Sequence, residues 1–119
     1  MFSFESLGVY GKARELVKEV YKLQKRFPAE ERYALGDQVR RSITSVTSNI
    51  AEGSGRESYK DKAHFCVMAF GSLMEAFSQL QNAQDLEYIS INDVEGLRPK
   101  FEEVAKMLSG LKSSFEKKL

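Results

Sequence analysis

The stretch SITSVTSNIAEGSGR, Ser42 to Arg56, decides how the chain folds. Its β-branched residues suit a strand by propensity. Its two glycines, Gly53 and Gly55, raise the question of a phosphate-gripping loop. Spacing answers the first point. Leu35, Val39, Ile43, Val46 and Ile50 recur at steps of four, four, three and four, which is a helical stripe and not an alternation. A helix is therefore expected from Ala34 to Glu52. Its Ser, Thr, Val, Ile and Asn residues all trail alanine in helix propensity, so packing must hold it together. The glycines fit neither G-x-x-x-x-G-K-[ST] nor G-x-G-x-x-G, and no strand precedes them, so a phosphate loop is set aside. Gly53 is expected at the left-handed position just past the helix end, where glycine is unstrained. Gly55 then turns the chain toward the next helix.

The same periodicity extends in both directions. Upstream, Leu16, Val20, Leu23 and Phe27 predict a helix from Val9 to Phe27, widened by Val9, Ala13 and Val17 and stopped by Pro28. Downstream, a helix is expected from Tyr59 to Leu86, opened by Ser58 with Asp61 three residues on. Its core stripe reads as Cys66, Phe70, Leu73, Phe77 and Leu80, flanked by Phe65, Ala69, Ala76 and Ala83. At 1.5 Å per residue it spans roughly 40 Å, which predicts an elongated body. A fourth helix runs from Ile91 to Leu119, capped by Ser90 with Asp93 or by Asn92 with Glu95. Val94, Leu97, Phe101, Val104, Leu108, Leu111 and Phe115 carry its stripe. Pro99 should kink or delay this helix, and Gly110 is a second weak point. Four long amphipathic helices with short connections make an all-α fold, an up-down-up-down four-helix bundle, in a single domain over residues 1–119.

Composition narrows the function. Of 119 residues, 42% are hydrophobic and 29% charged, enough for one core and an ordered chain. Eighteen Lys and Arg against 17 acids leave a net charge of +1, so no strong general attraction to nucleic acid or anionic membrane is expected. Local basic patches are a separate matter. Arg14, Lys18, Lys22 and Lys25 form a stripe at helical steps, with Arg26 beside it. They read either as a nucleic-acid contact or as an ordinary solvated face. The single cysteine, Cys66, allows no internal disulfide and fits a reducing compartment. No basic leader with a long apolar core opens the chain, and no apolar stretch is long enough to span a membrane. A cytoplasmic location with no membrane partner is the expectation.

Catalytic chemistry has few candidates. His64 is the only histidine and lies off the core stripe near Asp61, without the partners of a metal site or a triad. Cys66 reads as a small buried hydrophobe. No Glu-x-x-His pair of the di-iron bundles occurs. No enzyme activity, metal or cofactor is expected. The second helix is the odd element, because Ser42 to Ala51 carry no charge. A free bundle surface is normally studded with Lys and Glu. The small polar side chains read either as a bland surface or as a face covered by a symmetry mate. Glu75, beside Gly71 and Ser72, reads as an exposed carboxylate or as a partner for Arg40 or Arg41. Glu52, at a helix C-terminus where the dipole disfavours it, calls for a cation, with Arg56 at hand. Asn49 is placed to cap carbonyls or bridge helices.

A family resemblance rests on FPAEERYAL, then Gln38, Arg40, Arg41 and Ser45, then NIAEG with Asn49, Glu52 and Gly53, then Gly71, Ser72 and Glu75 in AFGSLMEA. In this order they resemble the four-helix-bundle proteins encoded in intervening sequences of bacterial large-subunit ribosomal RNA genes. The resemblance covers nearly the whole chain; Tyr10 stands where many members have tryptophan. It implies a four-helix bundle, a ring-forming homo-pentamer and no catalytic activity. It assigns the signature residues to structure or to an interface. A related branch, the accessory variability proteins of diversity-generating retroelements, binds nucleic acid and a reverse transcriptase through a basic surface. Two functions follow as expectations: an oligomeric scaffold that binds RNA or a ribonucleoprotein, or a protein-interaction module without nucleic-acid affinity.

Overall fold

Local signals place the helix starts. In the computed structural model, which describes residues 1–119, four helices follow one another without a strand: α1 (Gly8–Gln24), α2 (Leu35–Ser54), α3 (Tyr59–Asp85) and α4 (Ile91–Glu116). The Ser58 hydroxyl accepts the Asp61 amide at the start of α3. Ser90 and Asp93 close a reciprocal capping box on α4, so the Ser90 alternative is the one used. Each helix packs against its neighbours in sequence, and α4 returns to α1, which closes a four-helix bundle. The body measures 46 × 24 × 23 Å, elongated as the length of α3 requires.

One core runs through all four helices. Val9, Ala13, Leu16 and Val20 face Val39, Ile43, Val46 and Ile50 of α2, while α4 contributes Val94, Leu97, Phe101, Val104 and Leu108. On α3 the buried stripe differs from the expected one. Ala69, Leu73, Ala76, Leu80 and Ala83 are fully buried, whereas Phe70 is 38% exposed. Phe77 sits at the rim, edge-on to Phe101 at 5.0 Å and beneath the Arg98 guanidinium. Leu73 and Leu80 belong to both stripes, so hydrophobicity alone does not choose between them. Space does: three alanines at seven-residue intervals let the neighbouring backbones come close, and phenylalanines there would push them apart.

The helix ends hold two further corrections. Gly53 is not a left-handed residue beyond α2; it is buried inside the helix, and no glycine in the chain has a positive φ. A Cβ at Gly53 would lie 2.7 Å from the Phe65 Cβ. Glycine is required there by the close approach of α3, not by a turn. The one left-handed residue is Glu87, at φ 65°, just past α3. The Tyr88 amide there reaches back to the Ala83 carbonyl at 2.9 Å, which is the Schellman closure of a helix end. Pro99 lies inside α4 without delaying it, exposed near the N-terminal end. α1 ends at Gln24, and Phe27 is buried from the turn that follows.

Candidate functional site

The basic stripe of α1 separates into two groups. Arg26 spans to the start of α4 and pairs with Asp93 at 3.0 Å. The Ser90 amide first, and Arg26 second, hold the Asp93 carboxyl below the usual range. Lys22 pairs with Glu19 at 3.6 Å, one turn back. Arg14, Lys18 and Lys25 are exposed and make no ion pair. Arg14 and Lys18 border a cleft of about 460 Å³ between α1 and α2, completed by Tyr10, Gly11, Glu15, Val17 and Thr47. The Arg14 guanidinium lies 5.8 Å from the centre of the Tyr10 ring, and Phe4 meets that ring edge-on, with centroids 4.9 Å apart.

The signature residues gather elsewhere, along the seam of α2 and α3. The Ser42 hydroxyl donates to Gln79 Oε1 at 2.7 Å, and Gln79 Nε2 donates to Glu75 Oε1 at 3.2 Å. Asn49 Nδ2 donates to the Ser45 carbonyl and to Ser45 Oγ, at 2.9 and 3.0 Å. The Ser45 and Ser72 hydroxyls then share a hydrogen bond, 2.9 Å across the seam. No buried side-chain polar atom lacks a partner. Asn49 thus does both things expected of it, capping a carbonyl and joining a chain that bridges two helices.

Glu75 does not pair with Arg40 or Arg41. Arg40 donates to the Arg32 carbonyl at 2.8 Å and pairs with Asp37, while Arg41 meets Asp37 at 3.2 Å. The reason is axial position: Arg40 and Arg41 share the first turns of α2 with Asp37, while Glu75 lies one turn before its hydrogen-bond partner Gln79. Glu52 has the cation it needs, Arg56 at 3.1 Å. Gln38 is exposed near the start of the same seam. Ser72 serves the close contact expected of it. Gly71 does not, because it is exposed and a Cβ there would meet nothing within 4 Å.

The uncharged stretch of α2 turns its polar groups inward. Thr44 donates to the Arg40 carbonyl at 2.8 Å and Thr47 to the Thr44 carbonyl at 2.9 Å. A face whose donors are already satisfied loses little when water is removed from it. On its α4 side, away from the seam, α3 exposes Val67, Phe70 and Met74 in one row, and Val67 and Phe70 border a pocket of about 250 Å³ with Cys66, Leu108, Ser109 and Lys112. Burial raises the Cys66 thiol above its ordinary value. Sequence reading missed this apolar row because it assigned Phe70 to the core; the steps of three and four from Val67 to Met74 are the signal that marks it.

Residues 5–110 match the family model described as 23S rRNA-intervening sequence protein. The chain belongs to that family. No curated protein is significantly similar to it. The match spans all of α1, α2 and α3 and most of α4, so in this 23S rRNA-intervening sequence protein both the α1 cleft and the α2–α3 seam lie within the family region. No helix is long and apolar enough to cross a membrane.

Proposed function

We propose that this 23S rRNA-intervening sequence protein is a non-catalytic, oligomeric, cytoplasmic protein that binds RNA or a ribonucleoprotein through the outer face of α1. The observation that carries the reading is the set of free cations Arg14, Lys18 and Lys25 on one helix of a nearly neutral chain. Cations without acidic partners are available to displace counterions from phosphates. The family description, which ties the gene to ribosomal RNA, is consistent with it. A raised Cys66 pKa keeps that thiol protonated at neutral pH, a poor nucleophile, which supports the non-catalytic part.

Self-association, as a homo-pentamer by the family resemblance, is proposed for the α2–α3 side. The internally satisfied seam and the bare Gly71 support it, while the apolar row Val67, Phe70 and Met74 lies on the α4 side of α3. Repetition of a weak basic patch around a ring would add avidity. The same apolar row favours a second reading, a protein-binding scaffold without RNA affinity. The deciding experiment is fluorescence anisotropy with RNA at low and physiological salt, with the oligomer mass measured in parallel. Saturable binding that weakens steeply with salt, and is lost in the Lys18→Glu, Lys25→Glu double variant, supports the RNA reading. An intact oligomer that binds no RNA at low salt leaves the scaffold.

A further inference from the structure

We infer that the α1–α2 cleft seats one unpaired nucleotide of single-stranded RNA, with its phosphate between Arg14 and Lys18 and its base against Tyr10 and Val17. This deepens the RNA-binding reading above and rests on it. The cleft holds about 460 Å³, within the range of small-ligand pockets. Its chemistry is that of a nucleotide. Arg14 and Lys18 supply two positive charges, neither in an ion pair, against the single carboxylate of Glu15. Glu15, the one acid in the lining, faces Lys12 at 4.0 Å. The Tyr10 ring, with the Arg14 guanidinium 5.8 Å from its centre, supplies an aromatic surface against which a base can lie. The Thr47 proton is committed to the Thr44 carbonyl at 2.9 Å, so its oxygen remains as an acceptor for a ribose hydroxyl or a base amino group.

Gly11 supplies a handle for the test. It lies inside α1, where glycine is the costliest choice after proline, yet a Cβ there would touch nothing within 4 Å. Packing does not require this glycine. It borders the cleft between Tyr10 and Arg14, and an alanine methyl would occupy space on the ligand side. A duplex keeps its bases stacked inside and offers only backbone to such a cleft, so the seat selects single strands.

The test compares a fluorescein-labelled, unstructured 12-nucleotide RNA with a duplex of the same length, titrated against the whole protein. The single strand is expected to bind at least fivefold more tightly. Gly11→Ala is expected to raise the melting temperature by a few degrees while weakening single-strand binding about threefold to tenfold. Tyr10→Leu is expected to weaken it about tenfold, with its fold checked by circular dichroism. Opposite signs in stability and binding for Gly11→Ala are the signature that a merely structural role does not produce. If RNA binds in a salt-dependent way but duplex and single strand bind alike, and Gly11→Ala leaves affinity unchanged, the seat is wrong while the basic face stands. If neither RNA binds at low salt, both readings fall.

Discussion

The outer face of α1 and the α2–α3 seam are built on opposite rules. On α1, Arg14, Lys18 and Lys25 hold charge in water with no partner, at little cost to the fold. Along the seam, Ser42, Gln79, Glu75, Asn49, Ser45 and Ser72 answer one another in short chains of hydrogen bonds. The first arrangement leaves interaction energy available to something outside the chain. The second spends it inside and leaves a surface that is cheap to cover. The difference teaches that polar residues of one bundle can be sorted by whether their partners are present, which residue type alone does not reveal.

The comparison breaks most severely at Gly53. Gly53→Ala forces a methyl against Phe65, whose Cβ is only 2.7 Å away, at the tightest point of the α2–α3 contact. Overpacking of this kind costs about 1–3 kcal/mol, to be read as a lower urea midpoint with an unchanged slope. An undiminished midpoint would show that the two helices are not pinned there.

Next in size is Ser42→Ala, which leaves the buried Gln79 oxygen without its donor at a cost of about 1–2 kcal/mol. Adding Gln79→Leu removes the orphan and is expected to recover more than half of that loss. A double variant as unstable as the single one would mean that the seam contributes through packing and not through satisfied polarity. By contrast, Lys18→Glu on α1 is expected to change stability by less than about 0.5 kcal/mol while reducing RNA affinity at low salt. A large loss of stability would place Lys18 in the structural class.

The smallest effect concerns the junction between the two kinds of surface, the Arg26–Asp93 pair. The folded Asp93 pKa is depressed below the ordinary carboxylate value of 3.8, so the unfolded chain takes up its proton first as pH falls. Its contribution is fully present above about pH 4 and is lost as the pH falls through the folded value. Arg26→Gln is expected to reduce this slope in melts between about pH 2 and 5 and to leave it partly in place, because the Ser90 amide is the larger cause. Identical slopes in the two proteins would show that Arg26 is a surface charge like its neighbours.

Much of this was legible beforehand because it is local. The Ile43, Val46, Ile50 spacing overrode strand propensity, and the Ser58 and Ser90 caps set two helix starts to the residue. The need of Glu52 for a cation followed from the helix dipole, and Arg56, four residues on and just past the end of α2, meets it. Glu75 takes the exposed one of its two expected settings, whereas Phe70 and Gly53 differ from expectation for a shared reason. Each depends on how far another helix stands from it, and neither hydrophobicity nor glycine's backbone freedom reports that distance. The basic stripe was visible as a pattern, but its division was not, since Asp93 lies far from Arg26 in the chain.

The sequence by itself determined four amphipathic helices, the N-terminal caps of α3 and α4 and the bundle they form, because a 3.6-residue period and a serine three residues before an aspartate act within a turn or two of chain. Only the tertiary structure decided that alanines and not phalanx-like aromatics line the inner face of α3, that Glu87 and not Gly53 takes the left-handed turn, and that Arg14 and Lys18 stay free beside a cleft. Those outcomes are set by the separation of helices and by the acids they bring within reach, quantities that exist only once the core has closed.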